Sequence, residues 1–356
     1  YNASVQLQSL PQGIVDGINY HEDGSVTLAL HAPNKEFVYI IGDFNDWKVD
    51  PNYFMHKANS GPDERWWITI DNLSSMKEYA FQYLINGDLR IADPYAEKVL
   101  DPMNDSNIPR NVYPNPMLYP HGKTKHSASV MQTGQINFQW ESANYTTPNK
   151  NNLIIYEMLV RDFVEDHHYL TLIDSLDYLQ NLGINAIELM PINEFEGNNS
   201  WGYNPSFLFA PDKFYGTREH LKEFIDACHK RGIAVLMDLV INHSYASSPF
   251  VRLYTDGKPT EENPWFNREH NFANTSAHWG NDWDHESKFT QEIFKRAIAH
   301  WMLQYKIDGF RFDFTKGIGN NYKPQSDSWG SLYDEDRIKL LKQIADNVWA
   351  NNSNGI

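Results

Sequence analysis

Between residues 153 and 350 the chain repeats one pattern four times: a short, almost wholly apolar run, then a stretch with helical spacing. The apolar runs are 153–160, 183–191, 233–240 and 308–314. The first helical stretch lines up Leu170, Ile173, Leu176, Leu179 and Leu182, and the second Leu221, Phe224, Ile225 and Cys228. Phe294, Ala297, Ile298, Trp301, Met302 and Tyr305 make the third, and Ile338, Leu341, Ile344, Ala345 and Val348 the fourth. Gly183 and Gly232 follow the first two, where a helix C-terminal cap is expected. Near-continuous apolar strands are buried on both faces, which requires a parallel sheet covered by helices. Polar residues collect at the carboxyl ends of several strands, as in a parallel (β/α) barrel. A doubly wound nucleotide fold fits less well, because no glycine-rich phosphate loop follows any of the strands.

Those strand ends carry the chemistry. In the fourth run, alternation puts Arg311 and Asp313 on one face and Phe310, Phe312 and Phe314 on the other. An arginine two residues away favours the ionised form of a carboxyl. An ionised acid at a strand end suits a nucleophile or an ion-pair anchor, and a lone motif of this kind reads as a structural salt bridge. The third run holds Asp238 among apolar neighbours, a costly placement unless its charge is paired. Asn242 and His243 follow where that strand opens into a loop, and the second strand leads to Trp201-Gly202-Tyr203-Asn204-Pro205. The first precedes Arg161-Asp162-Phe163. Glu157 and Glu188 lie within strands and read as structural.

The stretches Tyr156-Glu157-Met158 with Arg161-Asp162-Phe163, 185–191, 238–243 and 309–313 resemble, in order and spacing, the first four strands of the α-amylase superfamily of retaining α-glucan enzymes. The resemblance implies that Asp313 is the nucleophile, that Arg311 orients it and that Asp238 fixes the arginine. It implies that His243 hydrogen-bonds the sugar in the cleavage subsite and that Tyr203 stacks under its ring. Lys316 matches a residue that holds a sugar one or two subsites along, whereas Gly317 stands where many α-amylases have histidine. In many members an asparagine matching Asn242 ligates a structural calcium ion, for which Asp282 and Asp284 offer further oxygens. No organic cofactor is implied.

Residues 1–115 read differently, as short strands separated by Pro33-Asn34, Gly42-Asp43, Gly61-Pro62 and Asn86-Gly87. That rhythm predicts a small antiparallel β-sandwich. Ala32-Pro33-Asn34, Gly42-Asp43-Phe44-Asn45-Asp46-Trp47 and Asp93-Pro94-Tyr95-Ala96 resemble the module that precedes pullulanases and branching enzymes. Relatives of that module bind glycogen or starch through exposed tryptophans, which makes Trp47 the candidate sugar platform. Residues 116–150 read as a connector, and 151–356 as the first half of the barrel, with a short excursion at 244–287.

A net charge of −16 argues against nucleic acid or an anionic membrane as partner. No membrane-spanning run is visible, and the single Cys228 excludes an intrachain disulfide. A chain that starts at Tyr1 suggests a processed or engineered terminus, so a secreted or periplasmic enzyme is expected, with a cytoplasmic one as the alternative. The expected function is retaining hydrolysis of α-glucans such as starch, glycogen or maltooligosaccharides, with pullulanase or glucan-branching transfer as the enzymatic alternative. The alternative of another class is a glucan-binding or assembly fragment without turnover. The family's general acid follows the fifth strand, so residues 1–356 are expected to need the missing half-barrel or a dimer partner for catalysis.

Overall fold

The computed structural model describes residues 4–356, which form two compact units. One holds the residues up to Asn107 together with Pro116–Asn137, and the other Ile108–Asn115 with Phe138–Ile356.

The first unit is an antiparallel sandwich. One sheet runs in the order Gly17–Tyr20, Val26–His31, Arg65–Ile70, His56–Ala58. The other runs Val38–Gly42, Glu78–Ile85, Ala128–Gln132, Val99–Leu100, with Leu89–Ile91 added against Glu78–Ile85. The Ala128–Gln132 strand falls in the stretch read as a connector and pairs with Glu78–Ile85. Five residues amid proline- and glycine-rich sequence leave no periodicity to read, so the sandwich extends past the expected boundary at 115.

Trp47 also departs from expectation. It is only 7 % exposed and packs with Tyr39, Ile41, Leu84 and Val130. Asp46 and Trp47 both adopt positive φ after the Asp43–Asn45 turn. The indole N–H donates to Asp43 Oδ1 at 2.9 Å. An indole spent on the core offers no face to a sugar, so Trp47 is a core residue and not a platform.

In the second unit the strands Ile155–Met158, Ala186–Leu189, Ala234–Leu239 and Gly309–Phe312 lie side by side in that order, all parallel. These are the four strand–helix units of a (β/α) barrel read from the sequence. Helices Arg218–Lys230, Lys288–Gln304 and Glu335–Asn351 cover them, N-capped by Thr217, Ser287 and Asp334. Caps of this kind contribute about 1 kcal/mol each. The helix expected over 170–182 is split at Ser175 into Tyr169–Asp174 and Leu176–Asn181. Gly183 and Gly232 take the left-handed conformation that ends each helix. Cys228 is buried, and desolvation pushes its thiol pKa up, which leaves it unreactive.

Two departures from the simple repeat shape the site. A hairpin of Asn193–Phe195 and Pro205–Pro211, not foreseen from the sequence, follows the second strand. The excursion after the third strand is closed by pairing of His243–Ser244 with Asn281–Asp282. On the far side of the fourth strand, the Ile356 N–H donates to Asp308 O and the Phe310 N–H donates to Ile356 O, both at 3.0 Å.

Candidate active site

The third and fourth strands are in register with Asp238 opposite Arg311. That pairing puts a fully buried acid beside a guanidinium at the carboxyl end of the sheet. Arg311 Nη1 donates to Asp238 Oδ2 at 2.8 Å and to Asp313 Oδ1 at 2.7 Å, so one nitrogen bridges both carboxylates. The Tyr203 hydroxyl donates to the same Asp238 oxygen at 2.6 Å. Tyr203 reaches it because Gly202, at φ +92°, passes Pro191 so closely that a Cβ would lie 2.4 Å from its carbonyl oxygen.

Burial pushes the Asp238 carboxyl up, to about 6, although Tyr203 and Arg311 both favour its charge. Burial also works against the charge of Arg311, but Asp238 and Asp313 outweigh it and raise the guanidinium pKa. The Tyr203 phenol is pushed up by burial and by Asp238, so it stays a donor. Its ring lies 6.0 Å from the Arg311 guanidinium carbon.

His243 donates from Nε2 to Tyr203 O at 2.8 Å, and burial lowers its pKa, so the ring is neutral. Its Nδ1 is a buried acceptor without a protein partner among the described residues. Lys316 lies in the Thr315–Gly317 turn beyond Asp313 and donates from Nζ to Ser331 Oγ at 3.0 Å. Asp313, Arg311, Asp238, Tyr203, His243 and Lys316 therefore come from adjacent strand ends and loops of one unit.

Alternation does not extend to Phe314. The strand stops at Phe312, and Phe314 takes a left-handed φ of 40°. Its ring turns over Gly317, where a Cβ would sit 2.8 Å from the ring edge. A histidine at 317 would collide with it, which accounts for this chain's glycine there.

The fit of the calcium expectation at Asn242 turns on which nearby oxygens are open. Asn242 Oδ1 is a buried oxygen without a protein partner among the described residues. However, Asp282 Oδ2 accepts from the Asn267 and Asn271 amides, and Asp284 Oδ1 from Asn320 and the backbone of Glu286 and Ser287. Calcium requires six to eight oxygens. One oxygen of each carboxylate is thus engaged by N–H donors, and no cluster of three acidic, histidine or cysteine ligands exists among the described residues. Glu157 and Glu188 face one another across the first two strands, and burial followed by Glu157 raises the Glu188 pKa.

Burial of neutral imidazoles makes this layer acid-sensitive. His285 donates from Nε2 to Ile241 O at 2.9 Å, and burial pushes its pKa down to about 4. The unfolded chain, with a histidine pKa near 6.5, binds this proton first. Its stabilising contribution is therefore complete above about pH 6.5 and is lost as pH falls towards 4. Asp282, raised by burial to about 7, has the opposite sign and a comparable size over the same range, so the His285 contribution is read as the difference between variant and wild type. His285→Gln should therefore flatten the fall in stability between pH 6.5 and 4 by up to ~1.4 kcal/mol per pH unit. Urea midpoints measured across that range check it, and parallel curves for the two proteins would refute it.

Comparisons with known proteins match a segment of each unit. Residues 170–294 match the α-amylase catalytic domain, and residues 17–96 match carbohydrate-binding module 48, the isoamylase N-terminal domain. A malto-oligosyltrehalose trehalohydrolase of Saccharolobus solfataricus is 27 % identical over 312 residues, covering 86 % of this chain and 46 % of the relative. A 1,4-α-glucan branching enzyme of Saccharophagus degradans is 30 % identical over 342 residues, covering 89 % and 42 %. The chain thus spans about half the length of the curated relatives it matches. The fold is shared with apo pullulanase of Paenibacillus barengoltzii, at TM-score 0.68 and 19 % identity, covering 97 % of this chain and 52 % of that one. It is shared too with the GBS pullulanase SAP in complex with maltotetraose, at TM-score 0.67 and 22 % identity, covering 97 % and 45 %. Residues 170–294 thus belong with the α-amylase catalytic domain and residues 17–96, ahead of them, with carbohydrate-binding module 48.

Proposed function

We propose that this chain supplies the nucleophile side of a retaining α-glucan hydrolase acting on starch, glycogen or maltooligosaccharides. The observation that carries the reading is Arg311 held between Asp238 and Asp313 at the strand ends. In this reading Asp313 attacks the anomeric carbon as the glycosidic C–O bond breaks, and the leaving oxygen takes a proton from an acid. Water then cleaves the glycosyl ester and returns a proton to that acid as base. Arg311 and Tyr203 keep the site polarised, and His243 Nδ1 is free to accept from a sugar hydroxyl. Asp238 is committed to Arg311 and Tyr203, so it braces the arginine and does not serve as the proton donor.

The branching-enzyme relatives favour glucan transfer as the second reading. Hydrolysis creates a reducing end at each event, whereas transfer conserves their number. The test is soluble amylose incubated with a protein that carries this chain at its relatives' full length. Rising reducing ends, appearing first as the α-anomer by proton NMR, support hydrolysis. A constant count with new α-1,6 signals supports transfer, and bound glucan with neither change would leave only a binding function.

A further inference from the structure

We infer that Trp279 and Trp329 form an aromatic platform that receives the glucan chain beside Asp313, a site that depends on the α-glucan reading above. The two indoles are 38 % and 43 % exposed, and their rings lie 6.1 Å apart at an angle of only 26°. Large aromatic side chains normally go to the core, and a fixed pair left in solvent marks a contact surface. Phe314, the residue after Asp313, stands edge-on beneath them, at 4.7 Å from Trp279 and 6.4 Å from Trp329. The His243 ring lies 6.4 Å from that of Trp279. The platform is therefore continuous with the carboxylate–arginine cluster.

Both indoles are carried on turns that are held in place. His270 Nε2 and His278 Nε2 donate to Gly280 O and Phe272 O at 2.7 and 2.8 Å, and their rings stack at 4.0 Å, fixing the Trp279 turn. The Trp329 turn is held by the Asn274 amide on Ser328 O and by Arg337 Nη1 on Gly330 O, at 3.2 and 2.7 Å. A platform ordered before binding loses little conformational entropy on binding. A pyranose ring presents an apolar C–H face and a rim of hydroxyls. The flat indoles suit the face, and the Lys316 and Ser331 side chains nearby suit the rim. An apolar peptide would leave those polar groups unmatched.

The test labels the 356-residue chain with 5-fluorotryptophan and follows its fluorine NMR spectrum during titration with maltoheptaose. Trp279→Phe and Trp329→Phe identify the two resonances by their loss. Both should shift saturably, and Trp329→Ala should weaken the affinity read at Trp279 about tenfold. Shifts confined to other tryptophans would overturn the platform while leaving glucan binding in place. If maltoheptaose moves no resonance at all, the α-glucan reading itself falls and the platform falls with it.

Discussion

Asp313→Asn, made in a protein that carries this chain at its relatives' full length, should lower turnover of maltooligosaccharides by on the order of 10³-fold or more while changing their affinity less than about threefold. The amide is nearly the same size and keeps an oxygen that can accept from Arg311, so the cluster around Asp238 need not rearrange. What is lost is the carboxylate that bonds to the anomeric carbon. That bond exists only as the reaction proceeds, so its loss is felt in the transition state and not in the bound ground state. Steady-state kinetics together with calorimetric affinity for an uncleaved substrate separate the two effects. A variant that keeps more than a few per cent of the rate would remove Asp313 from the nucleophile's role. Loss of rate and affinity in parallel would recast it as a residue that holds the sugar.

The pairing behind this expectation was legible because burying charge is so costly. Asp238 inside an apolar strand had to have a partner, and Arg311 at the end of another apolar strand supplied it. The four parallel strands and their covering helices were equally legible from period alone, apart from the break at Ser175 and the strand ends, whereas the Ala128–Gln132 strand and the Asn193–Phe195 hairpin were not. What stayed hidden depends on backbone conformation or on distant sequence. Strict alternation cannot foresee the left-handed φ of Phe314, which carries its ring across Gly317 and beneath Trp279. Trp47 sits among Asp, Asn and Lys, so its surroundings read as exposed while its turn points the ring inward. One signal was present and unused. The tryptophans followed by glycine, Trp201, Trp279 and Trp329, are all exposed, whereas most of the others pack inside. A tryptophan on a glycine-bearing turn has no strand or helix face to bury it.

Asp308→Ala should destabilise the second unit by about 3–5 kcal/mol, the largest stability loss expected of any single acid at the base of the sheet. Asp308 is 4 % exposed and opens the fourth strand at the end away from Asp313. Its Oδ1 accepts from the Tyr145 and Thr147 hydroxyls at 2.9 and 3.1 Å. Its Oδ2 accepts from His229 Nε2 and from the Val235 N–H, both at 2.8 Å. One carboxylate therefore ties the segment before the first strand, a covering helix and the third strand to the fourth. Tyr145 is further fixed by stacking on His229, with ring centroids 3.9 Å apart. Alanine strands the buried His229 and Val235 donors and frees the Tyr145 and Thr147 hydroxyls, and each unmet buried donor costs free energy. Asparagine should be milder, at about 1–2 kcal/mol. Its oxygen can keep the His229 and Val235 N–H groups, which can only donate, while its amide turns to the two hydroxyls, which can reverse roles and accept. Urea unfolding followed by tryptophan fluorescence measures both variants. Equal losses for alanine and asparagine would mean that charge, not hydrogen-bond count, holds this junction. An alanine variant within about 1 kcal/mol of wild type would mean that apolar packing of the covering helices, not this acid, fixes the fourth strand against the third.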